Sequence, residues 1–277
     1  MPTIEINAGT IHFEEFGPQD GRPVVFVHGY MMGGNLWRPI SARLAEHGLR
    51  AIVPTWPMGA HPEPLRAGAD RTIRGVADIV ADTLAALDLR DVVLVGNDTG
   101  GVVTQLVAVH HPERIGALVL TSCDAFEHFP PPILKPLILA ARSKALVRVL
   151  TQAMRIPAVR RKAYAGLAHS DIEALTRDWV RPARSNPAIA EDLRHLTLSL
   201  RTEVTTAVAA RLPEFGKPTL IAWSADDVFF PSGDGERLAR LIPQARLEVI
   251  AGARTYSMLD QPDRLADLVS AVAVRTG

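Results

Sequence analysis

The run Gly96-Asn97-Asp98-Thr99-Gly100 carries the sharpest chemical signal in the chain. A carboxylate set between two glycines can attack an electrophilic carbon or take up a proton. The glycines suit a tight turn whose central residue is strained and exposed at a strand's end. The flanking residues agree. Val92-Val93-Leu94-Val95 reads as a strand buried on both faces, and Gly101 to His110 reads as a helix stopped by Pro112. Free N–H groups at the start of that helix stabilise an anion at position 98. The plainer alternative is an aspartate that only caps the helix.

Two more carboxylates follow strand patterns. Asp124 comes after Leu118-Val119-Leu120, and Asp227 closes Ser224-Ala225-Asp226-Asp227 after Thr219 to Trp223. If these strands lie parallel to the one before Asp98, all three acids open on the same sheet edge, where ligands bind in open α/β sheets. Carboxylates crowded there raise one another's pKa, so one can stay protonated as an acid while Asp98 ionises.

The elements that must position these groups are legible along the whole chain. Ile4, Ile6, Ile11 and Phe13 alternate around Asn7-Ala8-Gly9-Thr10 as a hairpin, and Val24 to Val27 is a short apolar strand ending in His28-Gly29. Leu36, Ile40 and Leu44 recur at helical spacing. A strand at Ala51–Val53 and a helix over Ile73–Leu89 come next. Between Ala125 and Leu212 there is no strand signal, only helices broken by prolines. Alternation then resumes through Leu247–Ile250 to a last helix over Arg264–Val274. Strands alternating with helices predict an α/β fold with a mostly parallel sheet. The division expected is a core domain of residues 1–124 and 213–277, with 125–212 inserted as a helical cap.

With these motifs in this order, the chain resembles the α/β-hydrolase family over nearly its whole length. The resemblance implies an eight-stranded sheet flanked by helices under a helical lid. It also implies a strand-turn-helix elbow with Asp98 as nucleophile. The backbone N–H groups of Tyr30 and Thr99 would form an oxyanion hole, and Asp227 would be the acid. Aspartate at the elbow points to the haloalkane dehalogenase and epoxide hydrolase branch, in which a carboxylate forms an ester that a histidine-activated water cleaves. Some relatives in that branch carry their acid at the position of Asp124. Here the pattern breaks. The loop that holds the family's histidine reads Gly252-Ala253-Arg254-Thr255-Tyr256-Ser257, and no histidine follows it. Thr255 cannot act as a general base near neutral pH. His28 and His128 are the nearest substitutes in sequence. Tyr30 and Thr99 stand where halide-binding side chains are common, and the lid holds one tyrosine, Tyr164, where epoxide hydrolases usually present two. Trp37, Phe126, Phe229 and Tyr256 complete the candidates for the pocket wall. No cofactor and no metal are expected.

Composition bounds the rest. Thirty basic and thirty acidic residues give zero net charge, which removes a generally basic nucleic-acid binder, and a lone Cys123 removes internal disulfides. No uncharged apolar run is long enough to cross a bilayer, and the N-terminus does not read as a secretory signal, so a soluble cytoplasmic protein is expected. The zero is a sum of opposites. Residues 125–212 hold 14 basic and 7 acidic side chains, and between His128 and Ser170 there are eight basic residues and no acid. That charge fits an anionic small-molecule substrate, an anionic membrane or partner surface, or a solvated face. Three functions stay open: a hydrolase of a small ester or epoxide using Asp98 as nucleophile or base; a lyase, isomerase or cyclase in which Asp98 moves protons; and a ligand-binding protein that has lost turnover. The oligomeric state is not legible.

Overall fold

The computed structural model describes residues 1–274. Eight strands form one sheet: β1 (Thr3–Ile6), β2 (Gly9–Phe16), β3 (Pro23–Val27), β4 (Arg50–Pro54), β5 (Val92–Asp98), β6 (Ile115–Cys123), β7 (Thr219–Ser224) and β8 (Ala245–Ile250). Their spatial order is β1-β2-β4-β3-β5-β6-β7-β8. The first hairpin is antiparallel, β2 runs antiparallel to β4, and every pairing from β4 to β8 is parallel.

Alternation along the strands divides the core between two faces. Val25, Val27, Leu118 and Leu120 point to one apolar cluster, and Val24, Phe26, Ala117 and Val119 point to the other. The first is covered by α2 (Ile73–Ala86), α3 (Thr99–His110) and α10 (Ser232–Leu241). The second is covered by α1 (Arg38–Glu46) and α12 (Pro262–Val274), with the short α11 (Ser257–Asp260) beside them. The helix after the elbow is buried on all sides, from Thr99 through Val109. Its β-branched residues have weak helix propensity, so packing holds it helical.

Between β6 and β7 the chain makes a helical excursion: α4 (Lys135–Ala140), α5 (Lys144–Ala153), α6 (Pro157–Ala163), α7 (Glu173–Ser185), α8 (Pro187–Ser199) and α9 (Thr202–Ala209). Asp192 of α8 fixes this excursion to the loop after β4. It accepts from Arg71 at 2.5 Å, the Leu65 N–H at 2.9 Å and His61 at 3.2 Å.

Two strands at the centre of the sheet run further than expected. β5 continues beyond Val95 to Asp98, and β6 spans Ile115–Cys123 where only Leu118–Leu120 looks like strand. The added residues include Asn97, Thr121 and Ser122, which are polar but fully buried. Asn97 Nδ2 donates to the carbonyls of Thr121, Ser122 and Thr255. Hydropathy misses polar residues whose donors a sheet interior satisfies, although Asn97 Oδ1 is buried without a partner.

Candidate active site

The parallel register delivers the chemistry to one edge. β3, β5, β6 and β7 end at Val27, Asp98, Cys123 and Ser224, so His28 to Tyr30, Asp98, Asp124 and Asp227 all leave from neighbouring strand ends. A register irregularity after Asn97 pairs Asp98 with Cys123, and the Asp124 N–H reaches the Asp98 carbonyl at 3.3 Å.

Asp98 sits at the turn with φ 54° and ψ −134°, a conformation that is costly for a non-glycine residue. The turn closes only because its neighbours lack side chains. A Cβ on Gly100 would meet the Val27 carbonyl at 2.3 Å, and one on Gly29 would meet Asp98 Oδ1 at 2.2 Å. Asp98 Oδ1 accepts from the Thr99 N–H at 2.6 Å and the Tyr30 N–H at 3.3 Å. The two N–H groups expected to hold an oxyanion therefore converge on one oxygen of the aspartate, and neither reaches Oδ2.

Asp124 lies next to it. Its Oδ2 accepts from the Thr99 hydroxyl at 3.0 Å, and its carbonyl accepts from Gln105 at 3.0 Å. Burial pushes Asp98 up to about 6, with the Asp227 charge acting the same way against the Thr99 and Tyr30 donors. Burial, followed by the Asp98 charge, holds Asp124 well above the usual carboxylate range. Asp124 is only 2 % exposed and lacks the two backbone donors that Asp98 enjoys, so the proton rests on Asp124 while Asp98 ionises.

Asp98, Thr99 and Asp124 form the floor of a cavity of about 290 Å³. Its walls are apolar. Met31, Met32, Leu193, Phe229 and Phe230 line it with residues of the helical excursion, among them Leu134, Leu137, Val147 and Met154. Tyr30 and Tyr164 also line it, but both hydroxyls are engaged. Tyr30 pairs with Thr197 at 2.6 Å, and Tyr164 donates to the Met31 carbonyl at 2.7 Å.

Six of the expected wall residues do not line the cavity, and each has a physical reason. Trp37 is fully buried in the core beneath α1, stacked on Phe26 at 4.7 Å. Phe126 lies under Arg237, 3.9 Å from guanidinium carbon to ring centre. His128 is exposed and pairs with Asp234 at 2.8 Å. His28 donates from Nδ1 to the Gly29 carbonyl and accepts the Trp56 N–H at Nε2; burial lowers its pKa to about 4. With both nitrogens occupied and the ring neutral, it is a structural pin. Tyr256 packs edge-on to Trp179 at 6.0 Å. Thr255 is fully buried, although its carbonyl is tied to Asn97 at 2.9 Å, one residue from the elbow.

Asp227 also stays out of the cavity wall. Its Oδ1 accepts from the Phe229 and Phe230 N–H groups at 2.8 and 3.0 Å, while its Oδ2 is buried without a partner. The Thr255, Tyr256 and Ser257 hydroxyls are likewise buried and unpartnered. No histidine, lysine or arginine lines the cavity, so the eight basic residues between His128 and Ser170 are not aimed at a bound substrate. No cluster of potential metal ligands occurs among the described residues. Sequence reasoning missed Met31, Met32, Thr151, Thr197 and the helix residues of the wall. The helix residues signal themselves only by apolar spacing, which does not say what a helix faces, and Met31 and Met32, in the loop after β3, have no spacing signal at all.

Comparison with known proteins fits this architecture. The family model described as the alpha/beta hydrolase fold matches residues 22–262. The cis-3-alkyl-4-alkyloxetan-2-one decarboxylase of Shewanella oneidensis is 28% identical over 272 residues, spanning 94% of this chain and 83% of that protein. The 2-hydroxy-6-oxononadienedioate/2-hydroxy-6-oxononatrienedioate hydrolase of Cupriavidus pinatubonensis is 26% identical over 249 residues, 86% of this chain and 82% of that one. Among solved structures, a proposed ancestral haloalkane dehalogenase superposes with a TM-score of 0.80 at 16% identity, covering 100% of this chain and 99% of that chain. At that identity the likeness concerns the fold. No helix among the described residues is long and apolar enough to cross a membrane.

Proposed function

Because the chain belongs to the alpha/beta hydrolase fold family and is an enzyme of it, we propose that Asp98 attacks a carbon of an apolar ester, lactone or epoxide and carries the cleaved substrate as a covalent ester. One observation carries this reading. A carboxylate pinned through Oδ1 by two backbone N–H groups forms the floor of an apolar cavity, with a second, protonated carboxyl beside it. Pinning Oδ1 leaves Oδ2 as the attacking atom and sets its direction. A lone pair on Oδ2 forms the new C–O bond, and the bond from that carbon to the leaving oxygen breaks. An epoxide oxygen leaves as an alkoxide and takes the Asp124 proton; a lactone opened at its alkyl carbon leaves as a carboxylate and needs none. The Tyr30 and Thr99 N–H groups then hold the carbonyl oxygen of the new ester, where charge develops if it is cleaved by water. Residues 125–212 act as a cap over the core of residues 1–124 and 213–277, and their apolar side chains keep bulk water from the ester.

The absence of histidine from the cavity wall favours a second reading of the later step, a lyase. Hydrolysis needs a group to take a proton from water, and a lactone has another exit. The carboxylate released on ring opening loses CO2, its electron pair forms a C=C bond, and Asp98 departs as a carboxylate. The oxetanone decarboxylase among the relatives makes a strained four-membered lactone a reasonable probe.

Intact-protein mass spectrometry tests both steps. Exposure to an apolar epoxide is expected to add the epoxide's whole mass once at Asp98, and exposure to an alkyl halide to add its alkyl group once with the halide released, and either adduct should persist. A dialkyl oxetanone should yield alkene and CO2 with no lasting adduct. Asp98→Asn should abolish all of these. Adducts that form equally on the Asn variant, or none on the wild type with any probe, would refute the assignment.

A further inference from the structure

The outward face of residues 133–162 combines two features that the reaction does not use. The first is apolar exposure. Seven of the eleven exposed large apolar side chains among the described residues lie in this stretch, and Leu139, Leu146, Val149 and Ile156 are 50–63% exposed. Helix α5 shows why. Val147 and Thr151 are buried against the protein, while Leu146, Val149 and Leu150 face outward, so the helix is apolar on both sides and only one side is covered. The second feature is charge. Lys135, Arg142, Arg148, Arg155, Arg161 and Lys162 are exposed and make no ion pair among the described residues. Only Lys144 and Arg160 have acidic partners, Glu191 and Glu173. No acid occurs from Phe129 to Ser170 to offset them.

The mouth of the cavity belongs to the same face. Ile133, Leu150 and Val159 are at once exposed and part of the cavity lining. A soluble anionic substrate does not account for this, because no basic residue lines the cavity. A second copy of the chain does not either, since a two-fold contact would set this basic face against itself.

We propose that this face seats on an anionic lipid bilayer, with its apolar side chains in the acyl boundary and its basic side chains among the headgroups, so that an apolar substrate passes from lipid directly into the cavity. The proposal concerns the docking surface alone and does not depend on which bond Asp98 attacks.

Vesicle flotation tests it without any activity readout. Wild-type protein is expected to float with phosphatidylcholine vesicles that contain about 30 mol% phosphatidylglycerol, not with pure phosphatidylcholine, and to be released by about 0.5 M salt. Two triple variants separate the terms, and neither touches a cavity-lining residue. Arg142→Glu/Arg148→Glu/Arg155→Glu keeps the apolar surface and should lose partitioning by about a hundredfold or more, at roughly fivefold per basic side chain. Leu139→Asp/Leu146→Asp/Val149→Asp keeps the basic residues and should lose binding as well. Melting temperatures show that each variant is folded, and if one is not, the other decides. The proposal is overturned by no flotation of the wild type, by equal binding to neutral vesicles, or by folded variants that bind as the wild type does. It is equally overturned by a wild-type dimer that the Leu/Val triple variant converts to a monomer, because the occupant is then another copy.

Discussion

Replacing Asp98 by Asn should make the protein more stable while abolishing its chemistry, and the size of the gain should depend on pH. Burial lifts the Asp98 carboxyl from its ordinary 3.8 to about 6. Holding it ionised in the folded protein therefore costs about 3 kcal/mol, a large part of a typical total stability. Asparagine keeps the carbonyl oxygen that accepts from Thr99 and Tyr30, tolerates the positive φ of the turn, and carries no charge to desolvate. The sign follows from proton binding. Folded Asp98 holds its proton more tightly than the unfolded chain does, so its favourable contribution is complete below about pH 4 and is lost as the pH rises through about 6. The Asn variant has no such slope. From about pH 5 to pH 8 the wild type should lose about 1–2 kcal/mol relative to it, with the full gap of about 3 kcal/mol standing at pH 8. At roughly 2–4 °C per kcal/mol for a chain of this size class, the variant should melt about 6–12 °C higher at pH 8 and about half that at pH 5. Asp124 titrates in the same site and feels the Asp98 charge, so the comparison should be repeated on an Asp124→Asn background. Thermal melts at the two pH values, with intact-mass labelling alongside, measure both halves of the expectation. An Asn variant no more stable than wild type at pH 8, or a gap that does not change with pH, would refute the desolvation argument and with it the ionised, part-buried nucleophile.

Three further changes probe the surroundings. Thr255→His places an imidazole in the loop tied to Asn97, where buried hydroxyls lack partners; a trapped Asp98 ester should then be released about 10²–10⁴ times faster, and a folded variant with an unchanged adduct lifetime by time-resolved mass spectrometry would show that the loop does not face the ester. Gly29→Ala brings a Cβ to 2.2 Å from Asp98 Oδ1 and must displace the carboxylate from its two donors. Its labelling rate should fall about 10²–10³-fold with the far-UV circular dichroism retained. Asp192→Asn breaks a buried ionic contact with Arg71 and weakens those to His61 and the Leu65 N–H; urea unfolding should register a loss of about 3–5 kcal/mol, and a loss under 1 kcal/mol would deny it the anchoring role.

The architecture was legible because its signals are local and repeated. Apolar tetrads such as Val92–Val95 announce buried parallel strands, and the glycines around Asp98 announce the elbow before any contact is known. The N–H groups of Tyr30 and Thr99 came into view only through the family resemblance, and in the structure both donate to Asp98 Oδ1. The cavity wall was not. Trp37 and Leu137 both sit at helical apolar positions, yet the first is stacked on Phe26 in the core and the second lines the cavity. Periodicity reports that a residue faces something apolar and is silent on what. His28 shows the complementary failure. Its place beside the elbow suggested chemistry, but a buried imidazole with a carbonyl on one nitrogen and an N–H on the other is fully used in holding the loop. Such pairings are three-dimensional facts with no sequence signature.

What the site can do is best judged by counting protons. Under the proposed reading, Asp98, ionised at neutral pH, supplies an electron pair, and Asp124, held protonated by burial and by the Asp98 charge, supplies a proton. Neither Asp124 in that state nor any tyrosine at the cavity can accept one, since burial pushes Tyr30 and Tyr164 up as well. A reaction that ends in hydrolysis must remove a proton from water beside an ester that already occupies the Asp98 lone pair. A reaction that opens a ring and then eliminates returns Asp98 as a carboxylate and asks for no base at all. The carboxylate's raised pKa sharpens the distinction: it makes Asp98 a stronger nucleophile and a poorer leaving group, so the departing fragment must supply its own driving force, as loss of CO2 does. Under the proposed reading, the apolar walls therefore select for substrates that carry both the electrophilic carbon and the means of their own release.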